Sequence, residues 1–81
     1  MSSPKVTEFD RKLGTRVDQV CYRKLGTQSA LAIILGKNPM WVNGKCSGRV
    51  KFSAYDIFLV AKALGVSVDY LMEGCDDNKD P

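Results

Sequence analysis

The sequence has 81 residues, 44% of them hydrophobic and 26% charged. This size suits one small domain with its own core and excludes a second domain. The longest apolar runs, 30–35 and 57–61, are far too short to span a bilayer, and the polar start at 1–4 has no signal-peptide pattern. We therefore expect a soluble intracellular protein.

Positive charge is concentrated in the first part of the chain. Residues 1–51 hold ten Lys or Arg against three Asp or Glu, whereas residues 52–81 hold two against six, within a net charge of +3. One interpretation is that a charge asymmetry of this size merely keeps a small domain solvated. The other interpretation is a surface that attracts phosphate.

Residues that support catalysis or metal binding are scarce. The three cysteines, Cys21, Cys46 and Cys75, form no CxxC pair, and the chain contains no histidine. A zinc site is therefore not expected. The commonest general base is missing, and no glycine-rich phosphate loop of the GxGxxG or GxxxxGK type is present. We predict that the protein is not an enzyme and carries no metal or cofactor.

The first helix is predicted to begin after a polar leader, 1–6, that we expect to fray. Thr7 is the predicted N-cap, and the helix should end near Leu25 and Gly26. Apolar residues recur every three or four positions between these limits, as on one face of an amphipathic helix. They are Phe9, Leu13, Val17 and Val20.

Two short helices separated by a tight turn follow between residues 27 and 48. Thr27 is the N-cap signal of the first, and Gly36 ends it. Asn38 followed by Pro39 starts the second, because an Asn side chain caps free amides and the fixed φ of proline suits the first helical position. We expect this helix to continue to about Gly48. The buried positions of the first helix are predicted to be Leu31, Ala32 and Leu35.

Two further helices close the chain. Ser53 is the predicted cap of a helix that Gly65 ends, and Ser67 caps a last short helix. We therefore predict a domain over 7–74, with 75–81 as an acidic tail or linker. The predicted core residues of the fourth helix are Ile57, Val60, Ala61 and Leu64, widened by Tyr55, Phe58 and Leu59, and those of the fifth are Tyr70, Leu71 and Met72.

Residues 9–74 resemble the phage repressor and Cro type of helix-turn-helix domain. The resemblance implies an all-α, compact five-helix lambda-repressor-like domain with the helix-turn-helix in helices two and three. It also implies that the second helix of the pair, about Pro39 to Ser47, enters the major groove of double-stranded DNA. The matching residues are Leu13-Gly14, Arg16-Val17, Thr27-Gln28, Leu31-Ala32, Leu35-Gly36, Val42, Gly48 and the segment ALGVSVDYLMEG at 63–74.

The same resemblance implies two sets of DNA contacts. Asn43 is the favoured base reader, because its amide can pair with N6 and N7 of adenine, and Met40 can contact a thymine methyl group. Gln28 and Asn38 can equally serve as helix caps, and Asn43 can be a solvated polar residue. The predicted base-reading residues are Asn38, Pro39, Met40, Asn43 and Gly44. The predicted phosphate-binding residues are Thr27, Gln28, Lys37, Lys45, Arg49 and Lys51.

Four positions depart from that family. Lys45 stands where an apolar residue is usual and Trp41 where a small polar one is usual, and their spacing puts both on one helix face. The lysine stem then lies across the indole while its amine reaches phosphate, or Trp41 is simply a core residue. Cys21 and Cys46 replace an Arg and a Glu that commonly pair in the family. We predict that they are neighbours without a disulfide, with oxidation-sensitive DNA affinity if the helices can close the gap; the alternative is two unrelated buried cysteines.

A sequence-specific transcriptional regulator is the function that the resemblance implies. Most simply it is a phage or bacterial repressor that binds an inverted repeat as a homodimer, in the cytoplasm of a bacterial cell or phage-infected host. One alternative is the DNA-binding module of a longer repressor. Another is a helical protein-interaction module with an apolar patch of Met40, Trp41 and Val42. No membrane association and no small-molecule ligand is expected.

Overall fold

The computed structural model describes residues 7–73 and Cys75. The described chain is all-α. Its five helices are α1 (Glu8–Leu25), α2 (Gln28–Leu35), α3 (Pro39–Cys46), α4 (Ala54–Leu64) and α5 (Val68–Met72). The predicted leader at 1–6 and the part of the predicted tail at 76–81 lie outside the described residues, and the domain limits of 7 and 74 remain a prediction. None of the helices between residues 7 and 73 has the length and hydrophobicity needed to cross a bilayer.

Each helix begins where its local cap signal predicts. The side chain of the cap residue accepts a hydrogen bond from a backbone N–H in the first turn, which satisfies one of the amides that a helix start leaves free. Two of the caps, before α1 and α4, are complete capping boxes in which Asp10 and Asp56 bond back to the cap residue. The five N-caps are Thr7, Thr27, Asn38, Ser53 and Ser67.

Helix α3 is shorter than the sequence predicted. It ends at Cys46 with Ser47 as its C-cap, two residues before Gly48. Gly48 has a φ of 85°, so it turns the chain instead of capping the helix. The chain then folds back, and the backbone N–H groups of Arg49 and Val50 both bond to the carbonyl of Gly44, at 3.0 and 3.2 Å.

The core is formed where the apolar faces of all five helices meet. Tyr55 and Phe58, which we predicted to widen the core face of α4, are 67% and 49% exposed. Only a narrow face of α4 packs into the core, so these two rings lie on its outer side. They stack on each other with their ring centres 6.5 Å apart. Cys75, predicted as the first tail residue, is buried. The buried apolar residues are Leu13, Val17, Val20, Cys21, Leu31, Ala32, Val42, Cys46, Ile57, Val60, Ala61, Leu64, Leu71 and Cys75.

Two residues of α1 make close contacts with α3 and α5. A Cβ atom at Gly14 would lie 2.7 Å from the carbonyl oxygens of both Lys45 and Cys46, so only glycine allows α3 to approach α1 this closely. Two residues further along α1, Arg16 donates two hydrogen bonds to the carbonyl of Tyr70 in α5, at 3.2 and 3.0 Å. Its guanidinium also lies 4.4 Å from the Tyr70 ring centre, so α1 holds α5. This contact explains why Tyr70 lies at the surface and not in the core as predicted.

Candidate nucleic-acid interface

Helices α2 and α3 are joined by a short turn that leaves one face of α3 exposed. Gly36 adopts the left-handed conformation, with a φ of 70°, and Asn38 caps α3 through a 2.7 Å hydrogen bond from the Met40 amide. The inner face of α3 carries Val42 and Cys46, both buried. The outer face presents the side chains of Pro39, Met40, Asn43 and Ser47 to solvent, and Met40 is 75% exposed.

A chain of hydrogen bonds crosses this outer face. Gln28 donates to Asp18 Oδ1 at 2.8 Å and accepts from Asn43 Nδ2 at 3.3 Å. Arg49 then donates to Asn43 Oδ1 at 3.1 Å and to Ser47 Oγ at 3.0 Å. The relay, defined here as Asp18, Gln28, Asn43, Ser47 and Arg49, joins α1, α2, α3 and the segment after α3. Our sequence reasoning missed Asp18 and Ser47, because no local pattern shows that they face these partners.

Gly44 does not belong to the exposed face, contrary to its prediction as a base-reading residue. It is buried. The returning segment covers it, and a Cβ atom there would lie 3.4 Å from Val50 Cγ2 and 3.7 Å from Arg49 Nη2. The reversal at Gly48 produces this arrangement, which could not be read from helix periodicity.

Lys45 also takes a different place from the one predicted. Its amine donates to Asp56 Oδ2 at 2.8 Å and to the carbonyl of Lys51 at 2.6 Å. The amine lies 5.0 Å from the ring centre of Trp41, so the two side chains are neighbours as predicted, but the amine does not reach toward phosphate. Because the amine points into the domain, we remove Lys45 from the candidate phosphate contacts.

The electrostatics of Asp56 follow from this pairing. Burial alone would raise its pKa, but hydrogen bonds from Lys45 and from the backbone and side chain of Ser53, together with the Lys45 charge, outweigh burial. The net effect holds the pKa of Asp56 below its ordinary value. Asp56 is therefore ionised at neutral pH.

Trp41 lies at the edge of the core between two lysines. It is half-buried and packs against the core cluster, while Lys37 and Lys45 place their amines 5.1 and 5.0 Å from its ring centre. Val42, the third member of the apolar patch considered above, is buried at 1% exposure. The predicted patch of Met40, Trp41 and Val42 is therefore not a continuous exposed surface.

The remaining predicted phosphate contacts lie around the same face. The side chains of Lys37, Arg49 and Lys51 are exposed. Thr27 is exposed as well, with its hydroxyl accepting from the Ala30 amide, and Gln28 is half-buried in the relay. No arrangement of three His, Cys, Asp or Glu side chains suited to a metal ion occurs within the described part of the chain.

Cys21 and Cys46 are both buried and free. Cys21 Sγ donates to the carbonyl of Thr27 at 3.3 Å, which links α1 to the start of α2. Burial first, and then the nearby Asp18 and Cys21, raise the pKa of Cys46 to about 12. Burial and then Asp18 also raise the pKa of Cys21. The effect of Cys21 on the Cys46 thiol supports the prediction that the cysteines are neighbours, while the raised pKa values disfavour the reactive thiolate.

The five helices form a compact domain with the fold of lambda-repressor-like helix-turn-helix proteins, in which α2 and α3 are the helix-turn-helix. The fold is shared with the restriction-modification controller protein C.AhdI from Aeromonas hydrophila, with a TM-score of 0.71 and 28% identity over 75% of this chain and 92% of that one. It is also shared with the clp gene regulator ClgR from C. glutamicum, with a TM-score of 0.78 and 24% identity over 83% and 87%.

These similarities show the lambda-repressor-like fold, but they do not show that the protein is a phage repressor. ClgR, at 24% identity, supports the fold alone. Neither neighbour is described as a phage protein or as an enzyme. No protein-family model matches the chain, and no curated protein matches it.

Proposed function

We propose that this protein is a sequence-specific double-stranded DNA-binding transcriptional regulator that places α3 in the major groove. The observation that carries the proposal is the outer face of α3, where Met40 and Asn43 are exposed and the Arg49 guanidinium bonds to Asn43, while the inner face of the helix packs into the core. Amide and guanidinium groups are the side chains that read base edges. The similarity to the restriction-modification controller protein C.AhdI supports the same function.

Three groups around this face would position the domain on the DNA backbone. Lys37 precedes α3, and Lys51 follows it, and both side chains are exposed. Thr27 and Gln28 lie at the N-terminus of α2, where free amides favour a phosphate. Such contacts add affinity without sequence information.

The finer form of the proposal is a phage or bacterial repressor that acts in the cytoplasm as a homodimer on an inverted repeat. A helix-turn-helix domain contacts only one half-site, and a symmetric operator gives two domains equivalent contacts. The alternative of a DNA-binding module within a longer repressor predicts a monomer for this chain in gel filtration without DNA. A dimer by itself would contradict that alternative.

The test is selection of bound sites from random duplexes, followed by titration of the selected site at several salt concentrations. We expect one enriched motif and an affinity that falls by orders of magnitude between about 50 and 200 mM salt. Lys62→Ala, on the exposed side of α4 beside Phe58, is the matched control and should leave both unchanged. No enriched motif together with salt-independent binding to a protein partner would overturn the proposal.

A further inference from the structure

Arg49 lies on the outer face of α3 although its backbone is beyond the end of that helix. After the turn at Gly48, its guanidinium returns over Gly44 and bonds to Asn43 and Ser47, which are four residues apart on one face. The guanidinium passes close to Gly44, because a Cβ atom there would lie 3.7 Å from Arg49 Nη2. Arg49 therefore belongs to the surface that α3 presents, and not only to the flank of the domain where its sequence position suggested a phosphate contact.

The amide of Asn43 already has a partner on each side. Its nitrogen donates to Gln28, and its oxygen accepts from Arg49. An amide that pairs with adenine must donate to N7 and accept from N6, and after these two bonds Asn43 has one N–H and one oxygen lone pair left. The two bonds hold the amide in one orientation, which suits a residue that positions Arg49.

Arg49 has more free donors than Asn43. A guanidinium carries five N–H donors, and the structure uses two of them, one toward Asn43 and one toward Ser47. The other donors and the positive charge remain for a ligand. Because Asn43 is itself held by Gln28, and Gln28 by Asp18, the guanidinium is supported from behind by a chain that reaches α1.

We propose that Arg49 reads a guanine in the major groove and that Asn43 and Ser47 are positioning residues for it. Guanine offers two acceptors, N7 and O6, to a group that has only donors, whereas adenine offers one acceptor and one donor. The inference rests on the proposed function, and it replaces adenine readout by Asn43 with guanine readout through Arg49. A phosphate contact by Arg49 is the competing outcome.

The decisive variant is Arg49→Lys. It keeps the positive charge and so the phosphate attraction, but it loses the fork that bonds two acceptors at once. We expect Arg49→Lys to lose the preference for one guanine per half-site by roughly tenfold to a hundredfold, with little change in the salt dependence. Lys51→Ala is the control of opposite kind, because it should lower the salt dependence and keep the guanine preference.

A chemical change in the DNA gives an independent readout. Replacing the selected guanine by 7-deazaguanine removes the N7 acceptor and leaves the base pair intact. Binding by the unmodified protein should weaken severalfold, while Arg49→Ala should bind both duplexes equally. Asn43→Ala should reduce the preference at the same guanine, and adding Arg49→Lys to it should change that position little further, since the two act as a unit.

The outcomes separate this inference from the proposed function. If the unmodified protein selects no motif, both fail. If it selects a motif that Arg49→Ala leaves unchanged at every position, Arg49 contacts phosphate and the inference is wrong while the function stands. If Asn43→Ala instead relaxes an adenine position that Arg49→Lys leaves intact, Asn43 reads the base itself. Equal thermal unfolding midpoints for all variants would exclude a loss of fold.

Discussion

Lys45 and Asp56 form an ion pair across 2.8 Å that ties the proposed recognition helix to α4. The two side chains are only 10% and 15% exposed. Asp56 has a second task, because it accepts the Ser53 amide and completes the capping box of α4. One carboxylate therefore holds both the start of α4 and the orientation of α3.

Removing one partner of this pair should destabilise the domain. In Lys45→Met the Asp56 carboxylate loses its amine partner, and in Asp56→Asn the amine remains without a counter-charge. We expect each change to lower the free energy of unfolding by about 1–3 kcal/mol in urea titrations. The double variant should lose less than the sum of the two, since neither charge is then left unpaired. If the loss in the double variant equals the sum of the two single losses, Lys45 and Asp56 have no interaction energy in the folded protein.

The stability of the protein should fall in acid through Asp56. Its folded pKa lies below the ordinary value of 3.8, so its contribution is fully present well above pH 3.8 and is lost as the pH falls through the lower folded pKa. Urea unfolding at pH 6, 5, 4 and 3 measures the effect. Asp56→Asn should lose less stability over this range than the unmodified protein. Equal losses of stability in the two proteins would show that the acid sensitivity comes from residues other than Asp56.

Asp10 provides a second and separate source of acid sensitivity. Burial would raise its pKa, but hydrogen bonds from the Thr7 backbone and side chain and the charge of Lys51 lower it overall. The pKa of Asp10 is lowered, as that of Asp56 is, so Asp10→Asn should also reduce the loss of stability as the pH falls. Because Asp10 belongs to the capping box of α1 and Asp56 to that of α4, the two effects should add in the double variant.

Gly14→Ala should be strongly destabilising. The added Cβ would lie 2.7 Å from two backbone carbonyl oxygens of α3, and backbone atoms cannot rotate away as a side chain does. We expect a loss of about 1–3 kcal/mol or more in the free energy of unfolding.

Gly44→Ala is the matched control for Gly14→Ala, because its Cβ would meet only side-chain atoms at 3.4 and 3.7 Å. Replacing a helical glycine by alanine removes a penalty of up to about 1 kcal/mol, so this variant should unfold at the same or a higher temperature. Comparable losses in the two variants would contradict the close approach of α1 and α3.

Lys51→Ala should change how DNA binding depends on salt. A phosphate contact releases about one counterion, so the slope of log affinity against log salt should fall by roughly one, with equal weakening on all sequences. Lys45→Met is the informative comparison, because the Lys45 amine bonds to Asp56 and should leave the slope unchanged. An unchanged slope for Lys51→Ala would remove that residue from the interface.

Cys21 and Cys46 should react slowly with thiol reagents in the folded protein. Burial raises both pKa values, that of Cys46 to about 12, so little thiolate exists at neutral pH. In a Cys75→Ser background, labelling by iodoacetamide should be slow until urea unfolds the chain, and mild oxidant should leave DNA binding unchanged. Rapid labelling of the folded protein would restore the hypothesis of an oxidation-sensitive affinity.

Local signals in the sequence predicted most of the helix boundaries. A cap side chain bonds to an amide two or three residues away, as Asn38 does to Met40 and Ser53 to Asp56. Glycines with positive φ end α1, α2 and α4 at the predicted residues. The periodic apolar residues of α1 and α4 predicted most of the core in the same way, since helix spacing alone puts them on one face.

Only the tertiary structure decided what the polar side chains on and after α3 do. Lys45 turns inward because the fold brings Asp56, eleven residues later, within 2.8 Å of its amine. Arg49 reaches the outer face because the chain reverses at Gly48, and Gly44 is buried for the same reason. A long flexible side chain takes whichever partner the packed helices bring within reach. Helix spacing specifies the face from which such a side chain starts, whereas the partner depends on contacts between segments that are distant in the chain.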